Sequence, residues 1–222
     1  MAIRAVSAPQ HRVRLGAPAL YLGPALQMSA TYLGFQHPGW FWRALPPGLS
    51  SLGVPGLRRL RSRPQPASPG WLALGLLAGV VGYGVTALGA ALVARSAIGR
   101  RSLERIHECS ASVGRPTAAL LTLPASLGEE LFWRESVLRA HGRADREPVL
   151  ADLATTTLLY AAVQTASLEP LPPLGALLLG GGAGWLRIRS RSIWPAVLAH
   201  LVYSELCLVA PGLTHPRPSA IR

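Results

Sequence analysis

The sequence predicts an all-α fold, a polytopic bundle of about five or six transmembrane helices around an intramembrane polar cavity. Three observations lead there. Half of the 222 residues are hydrophobic and only 14% are charged, against roughly 25% in a soluble domain. The mean hydropathy is positive. All 22 basic residues are Arg, and they sit in short bursts between long uncharged apolar runs, as in loops that flank membrane helices.

Against ten acids these Arg residues leave a formal charge of +12. A nucleic-acid binder would gather its basic groups on a polar face, often with aromatics between them. Here they interrupt lipid-spanning runs, so the expected partner is the bilayer and not nucleic acid. Cys109 and Cys207 are far apart in the chain, and no disulfide framework or CxxC metal site follows. The absence of Lys reads as a coding bias toward GC-rich codons.

The first element, Ala17 to Phe35, is uncharged but holds Gln27, Ser29, Thr31, two Gly and two Pro. It lacks the tight apolar core and small-residue cleavage site of a secretory signal, and reads as either an uncleaved span or an interfacial helix. From His37 to Gly70 the composition turns Pro/Gly-rich, with Trp40, Phe41 and Trp42 beside Arg43 and a basic run at Arg58, Arg59, Arg61 and Arg63. That stretch reads as a juxtamembrane linker with an aromatic anchor. Residues 1–70 are thus an N-terminal unit, 71–210 a helical core and 211–222 a tail.

Trp71 to Ala94 is the clearest span, without charge and bounded by Pro69 and Arg95, and long enough for a hydrocarbon core of about 30 Å at 1.5 Å per residue. Further spans are expected at Pro116 to about Arg139, Leu150 to Leu168, Leu174 to about Leu186 and Ile193 to Val209. The connections 134–147 and 187–191 hold four and three Arg, whereas the Glu169–Pro173 turn holds none, so the first two should be cytoplasmic and the turn outside. The 95–115 segment carries five Arg yet would lie outside. Either the span count is off by one or that segment folds back on the interface. The run Gly180, Gly181, Gly182, Gly184 has neither the preceding strand nor the Lys-Ser/Thr of a phosphate loop, and with Gly75 and Gly79 it suits close helix packing in lipid.

Ionisable groups at membrane depth are costly and tend to mark function. Gly128-Glu129-Glu130-Leu131-Phe132-Trp133-Arg134 follows an apolar run. Glu130 and Arg134 are i,i+4 with the acid first, the favourable order for a helical ion pair, while Glu129 points about 100° away. A carboxylate without a cation partner in a low-dielectric cavity is suited to take a proton from water near neutral pH. The plainer alternative is a single interfacial charge cluster closing the helix end. Tyr160 and Gln164 share a face of the next span, where an isolated Gln more often joins helices than catalyses. His200 and Ser204 share a face of the last span, where a lone His would ordinarily be a packing residue. Counted from the Arg-rich connections, Glu129 lies about 15 Å deep, His200 about 14 Å and Gln164 about 21 Å, within roughly a turn of one another.

These residues resemble the CAAX-protease and bacteriocin-processing group of intramembrane endopeptidases. Its pattern is Glu-Glu-x-x-x-Arg on one transmembrane helix, Phe-x-x-x-His on the next and His-x-x-x-Asn/Asp on a later one, and the resemblance runs from about residue 71 to 210. Glu129, Glu130 and Arg134 match the first motif completely, and His200 matches the third, after a similar lead-in at Ser192-Ile193-Trp194-Pro195-Ala196. Tyr160 stands in place of Phe, Gln164 in place of His and Ser204 in place of Asn/Asp. The resemblance implies that Glu129 activates the attacking water and that His200, with Ser204, stabilises the oxyanion, while Glu130, Arg134, Tyr160 and Ser204 are supporting residues of the site. Gln164 cannot exchange protons, but its amide can orient a water, giving a Glu129/Gln164 dyad. One His in the cavity is a poor zinc set, so no metal and no other cofactor is expected.

The implied function is hydrolysis of a peptide bond near the C-terminus of membrane-anchored protein substrates, either CAAX-like processing or C-terminal sorting as myxosortases perform, in a multi-pass protein of the cell (inner) membrane. The diverged second motif fits the sorting branch better. The alternative is a catalytically inactive relative acting as a membrane binding or immunity partner, which Gln164 and Ser204 favour and the intact Glu129-Glu130-Arg134 motif opposes.

Overall fold

Among the residues described in the computed structural model, 17–62, 65–141 and 148–210, every regular element is helical. The helices are α1 (Ala17–Gln36), α2 (Phe41–Leu52), α3 (Val54–Ser62), α4 (Pro69–Val93), α5 (Ala97–Ser110), α6 (Arg115–Glu130), α7 (Leu138–His141), α8 (Leu150–Gln164), α9 (Leu171–Ser190) and α10 (Trp194–Ser204). A π-helical stretch, Leu131–Val137, joins α6 to α7, and a second, Glu205–Val209, extends α10. Single π turns inside α-helices are frequent at functional sites. Both of these adjoin the residues singled out above.

Among the described residues, one helix, α4, is long and apolar enough to cross a membrane by length and composition. It begins in an orderly way, with extended Ser68 before Pro69 at its first position, where the missing N–H of proline leaves no helical bond unmade. Its sides carry Leu76, Leu77, Val80, Val81, Val85, Leu88 and Leu92, all exposed. Exposed apolar side chains recur on α1, α8 and α9, while Gln27, Thr31, Glu129, Glu130, Arg134, Glu135 and Arg187 are buried. An apolar exterior around a charged interior is the distribution expected in lipid.

Gly75 and Gly79 repeat at the four-residue spacing that lets helices approach closely. A Cβ at either would run into the backbone of α10, at Pro195 and Ala199 respectively. Gly180 and Gly184 instead clear space for Thr157, Tyr160 and Leu153 of α8 and for the Arg134 side chain. Gly181 and Gly182 meet nothing, so close packing uses only two of that run.

The N-terminal part departs from the linker expected there. Residues 41–62 are helical, and α2 lies along α6. Phe41, Trp42, Leu49 and Leu52 are buried on one stripe, and the Trp42 indole donates to the carbonyl of Ser110 at 3.0 Å. Only Trp40 remains exposed as an anchor would. Apolar residues at helical spacing outweighed Pro46, Pro47 and Gly48, whose composition suggested a linker. In place of a loop, the 95–115 segment forms α5, capped by the Ser96 hydroxyl accepting from Gly99 N–H at 3.0 Å, and packs against α1, α2 and α4. There Arg105 donates to the Gln36 carbonyl at 2.9 Å, and Gln36 donates to that of Ser167 at 3.2 Å.

One end of the bundle is closed by a buried charge cluster. Glu135 accepts from Arg187 Nε and Nη2 at 3.2 and 2.9 Å, from Arg139 Nη1 at 3.0 Å and from Gln65 Nε2 at 3.0 Å. Its backbone carbonyl takes Arg59 Nη1 at 2.7 Å. Three Arg positions read only as loop charge are therefore structural partners here. Their carboxylate is one residue past Arg134, where the motif reading stopped.

Candidate active site

Helix α6 delivers the two acids, and successive helical residues point about 100° apart. Glu130 faces Arg134 and His200. Its Oε2 lies 3.4 Å from Arg134 Nε, and its Oε1 lies 2.9 Å from His200 Nδ1. Arg134 is wholly buried, and its guanidinium carbon also sits 5.3 Å from the centre of the Tyr160 ring, within cation–π range. The i,i+4 pair thus exists as the spacing suggests, with His200 as a third member.

Glu129 looks the other way and meets mostly neutral donors. The Tyr160 hydroxyl donates to its Oε2 at 2.8 Å, the Gln27 amide donates to its Oε1, and His200 Nε2 stands 3.4 Å from Oε2. All five groups, Glu129, Glu130, Arg134, Tyr160 and His200, are at most 5% exposed.

Glu129, Tyr160, Gln164, His200 and Ser204 line one cavity of about 450 Å³. Its remaining walls are largely apolar: Phe41, Trp42 and Leu45 of α2, Val85 and Ala90 of α4, and Leu174 and Leu178 of α9. Leu103 and Ile106 of α5 cover it where that helix packs against α2 and α4. No residue of the Glu135 cluster contributes. The cavity therefore runs from the Glu129 and His200 floor toward the α5 end.

The structure brings Glu129 and His200 together and places Gln164 and Ser204 on the same walls. It draws no hydrogen bond from Gln164 to Glu129 among the described residues. Gln164 ends α8 half-buried, a full turn beyond Tyr160, and it is Tyr160 that reaches the carboxylate. Two partners escaped the sequence. The hydroxyl that distinguishes Tyr160 from Phe bonds directly to the candidate base, and Gln27, noted only as polar content of an apolar stretch, is its amide partner. A lone Gln in that stretch was the available signal. Among the described residues no group of three or more His, Cys, Asp or Glu is arranged to hold a metal ion.

Residues 113–205 match a family described as "Type II CAAX prenyl endopeptidase Rce1-like". That segment begins after α5 and contains Glu129, Glu130, Arg134, Tyr160, Gln164, His200 and Ser204, but none of α1 to α5. No curated protein and no solved structure matches the chain.

Proposed function

With residues 113–205 matched to the Rce1-like CAAX-protease family, whose members are intramembrane peptidases, we propose that the protein is an intramembrane endopeptidase that hydrolyses a peptide bond near the C-terminus of membrane-anchored proteins. The observation that carries this is the Glu129 carboxylate at the floor of an apolar cavity, beside His200 and in the grip of neutral donors. Membrane peptides fit such walls, and a buried carboxylate next to a His supplies the polar chemistry.

In the reaction, a water next to Glu129 gives its proton to the carboxylate while its oxygen bonds to the scissile carbonyl carbon. The tetrahedral intermediate then collapses, the C–N bond breaks, and Glu129 returns the proton to the leaving nitrogen. Products are a new carboxyl terminus and a free amine. Glu130 accepts from His200 Nδ1, which fixes that nitrogen as a protonated one. His200, oriented by the contact of its Nδ1 with Glu130 Oε1 at 2.9 Å, is the first proposed donor to the oxyanion. Ser204, one turn on and lining the same cavity, is the second proposed donor. Gln164 lies where a substrate peptide passes and orients it or its water.

The proposed setting is a multi-pass protein of the inner membrane, with the Arg-rich Glu135 end cytoplasmic. The proposed units are residues 1–70, 71–210 and 211–222, and the proposed substrates carry a C-terminal sorting tail. The test is co-expression with a membrane-anchored reporter ending in an apolar helix followed by Arg residues. Glu129→Gln should lower cleavage by about 100-fold or more; unchanged processing would refute water activation by Glu129. A second reading, an inactive relative that binds membrane proteins, is favoured by the absence of a Gln164–Glu129 bond. Gln164→His separates the two: a gain of cleavage marks an impaired enzyme, and a loss marks a site that depends on the amide.

A further inference from the structure

A general base must be held in the orientation from which it takes a proton. Gln164 makes no bond that would hold Glu129, but Gln27 does. It is fully buried at the middle of α1, and the Phe132 ring of the motif segment reaches across to α1, where a Cβ at Gly23, one turn earlier, would meet it. Trp133 Nε1 donates to Gln27 Oε1 at 2.7 Å. An indole N–H is only a donor, so the amide oxygen must face Trp133 and the amide nitrogen must face Glu129. The network itself fixes the orientation of the amide.

A carboxylate offers about four acceptor positions. Gln27 occupies one on Oε1 and Tyr160 one on Oε2, and His200 Nε2 approaches Oε2 at 3.4 Å. Among the described residues, Gln27 is the one group bonded to Oε1, which leaves a position on that oxygen where a water can be received. We propose that Gln27 is a positioning residue of the catalytic centre: the relay from Trp133 through Gln27 to Glu129 holds the base with one acceptor position aimed at the attacking water. Helix α1 then belongs to the active centre although it lies outside the family match. The inference rests on the hydrolytic role of Glu129.

The test uses the full chain in lipid nanodiscs with the tailed reporter, and adds modification of Glu129 by a hydrophobic carbodiimide, read by mass spectrometry, which needs no substrate. Gln27→Ala should lower kcat by about 10- to 100-fold with KM little changed, as misplacement of a catalytic group does. Loss of the donor should also speed carbodiimide labelling of Glu129 by about fivefold, the ordinary net worth of one hydrogen bond. Gly84→Ala, on α4 where a Cβ meets nothing within 4 Å, should label at the wild-type rate. Gln27→Glu keeps the acceptor for Trp133 but can donate to Glu129 only while protonated. Its cleavage relative to wild type should therefore fall as pH rises, a dependence that a merely structural role would not create.

Wild-type labelling and kinetics in Gln27→Ala would overturn the role of Gln27 alone, provided Glu129→Gln is inactive. Undiminished cleavage by Glu129→Gln would instead overturn the hydrolytic reading on which it rests. Gln27→Glu guards against a folding failure in the alanine variant, because its defect is reversible with pH in one sample.

Discussion

Replacing Glu135 with Leu should destabilise the protein more than any comparable surface change, and the structure gives the size. Glu135 is fully buried and Arg187 is 2% exposed. The two oxygens of Glu135 accept four hydrogen bonds, two of them from Arg187. Removing the carboxylate leaves the guanidinium in the interior with no acceptor, a loss of about 3–5 kcal/mol when one partner of a buried pair is deleted. Arg139 is 23% exposed and can turn to water, so it adds little. At about 2–4 °C per kcal/mol for a chain of this length, the melting temperature should fall by about 6 to 20 °C. Thermal unfolding in nanodiscs measures it. The double variant Glu135→Leu/Arg187→Met removes both charges and should recover most of the loss, because replacing an entire buried pair by apolar groups is often neutral. A single variant within 2 °C of wild type, or a double variant as unstable as the single, would refute the reasoning.

Two further outcomes follow from particular contacts. Gly75→Leu should lower stability by about 1–3 kcal/mol, as overpacking does, because its Cβ meets the α10 backbone at Pro195, whereas Gly84→Leu on the same helix meets nothing within 4 Å and should leave the melting temperature unchanged. Cys109 lies on α5 with no exposure, and burial pushes its thiol up from 9.0 to about 11. Maleimide should therefore label it slowly in the folded protein and quickly after denaturation. Since the unfolded thiol ionises first, stability should decline as pH rises above about 9 and not below. Equal labelling rates in the two states would refute this placement of Cys109.

What could be read from the sequence was local, and what could not was distant. The Glu130–Arg134 pair and the separate facing of Glu129 follow from helical spacing alone, since i,i+4 residues meet and adjacent ones diverge. His200 could be named from its depth and company, but its bond to Glu130 spans 70 positions and no periodicity encodes that. Gln27 reaches Glu129 across 102 positions, and the Glu135–Arg187 pair across 52. Each required knowing which helices are neighbours. Helix α2 was missed for a different reason: its Pro and Gly residues signal a breaker, while the stripe of Phe41, Trp42, Leu49 and Leu52 signals burial, and packing against α6 decided between them.

The two adjacent acids differ in kind once their neighbours are in place. Glu130 is tied to a fully buried Arg134 and to His200 together, and its removal would leave a guanidinium uncompensated in the interior. Glu129 also has His200 Nε2 3.4 Å from its Oε2, but the two groups hydrogen-bonded to it, Gln27 and Tyr160, carry no charge. Their amide and hydroxyl stay in place whichever form the carboxyl takes. In the proposed reaction Glu129 is the carboxylate that takes and then returns the proton, and its two hydrogen-bonded neighbours are not left as stranded charges by that exchange. The motif thus divides by direction: one helical step of about 100° separates a carboxylate paired with buried Arg134 from one whose hydrogen bonds come from neutral groups.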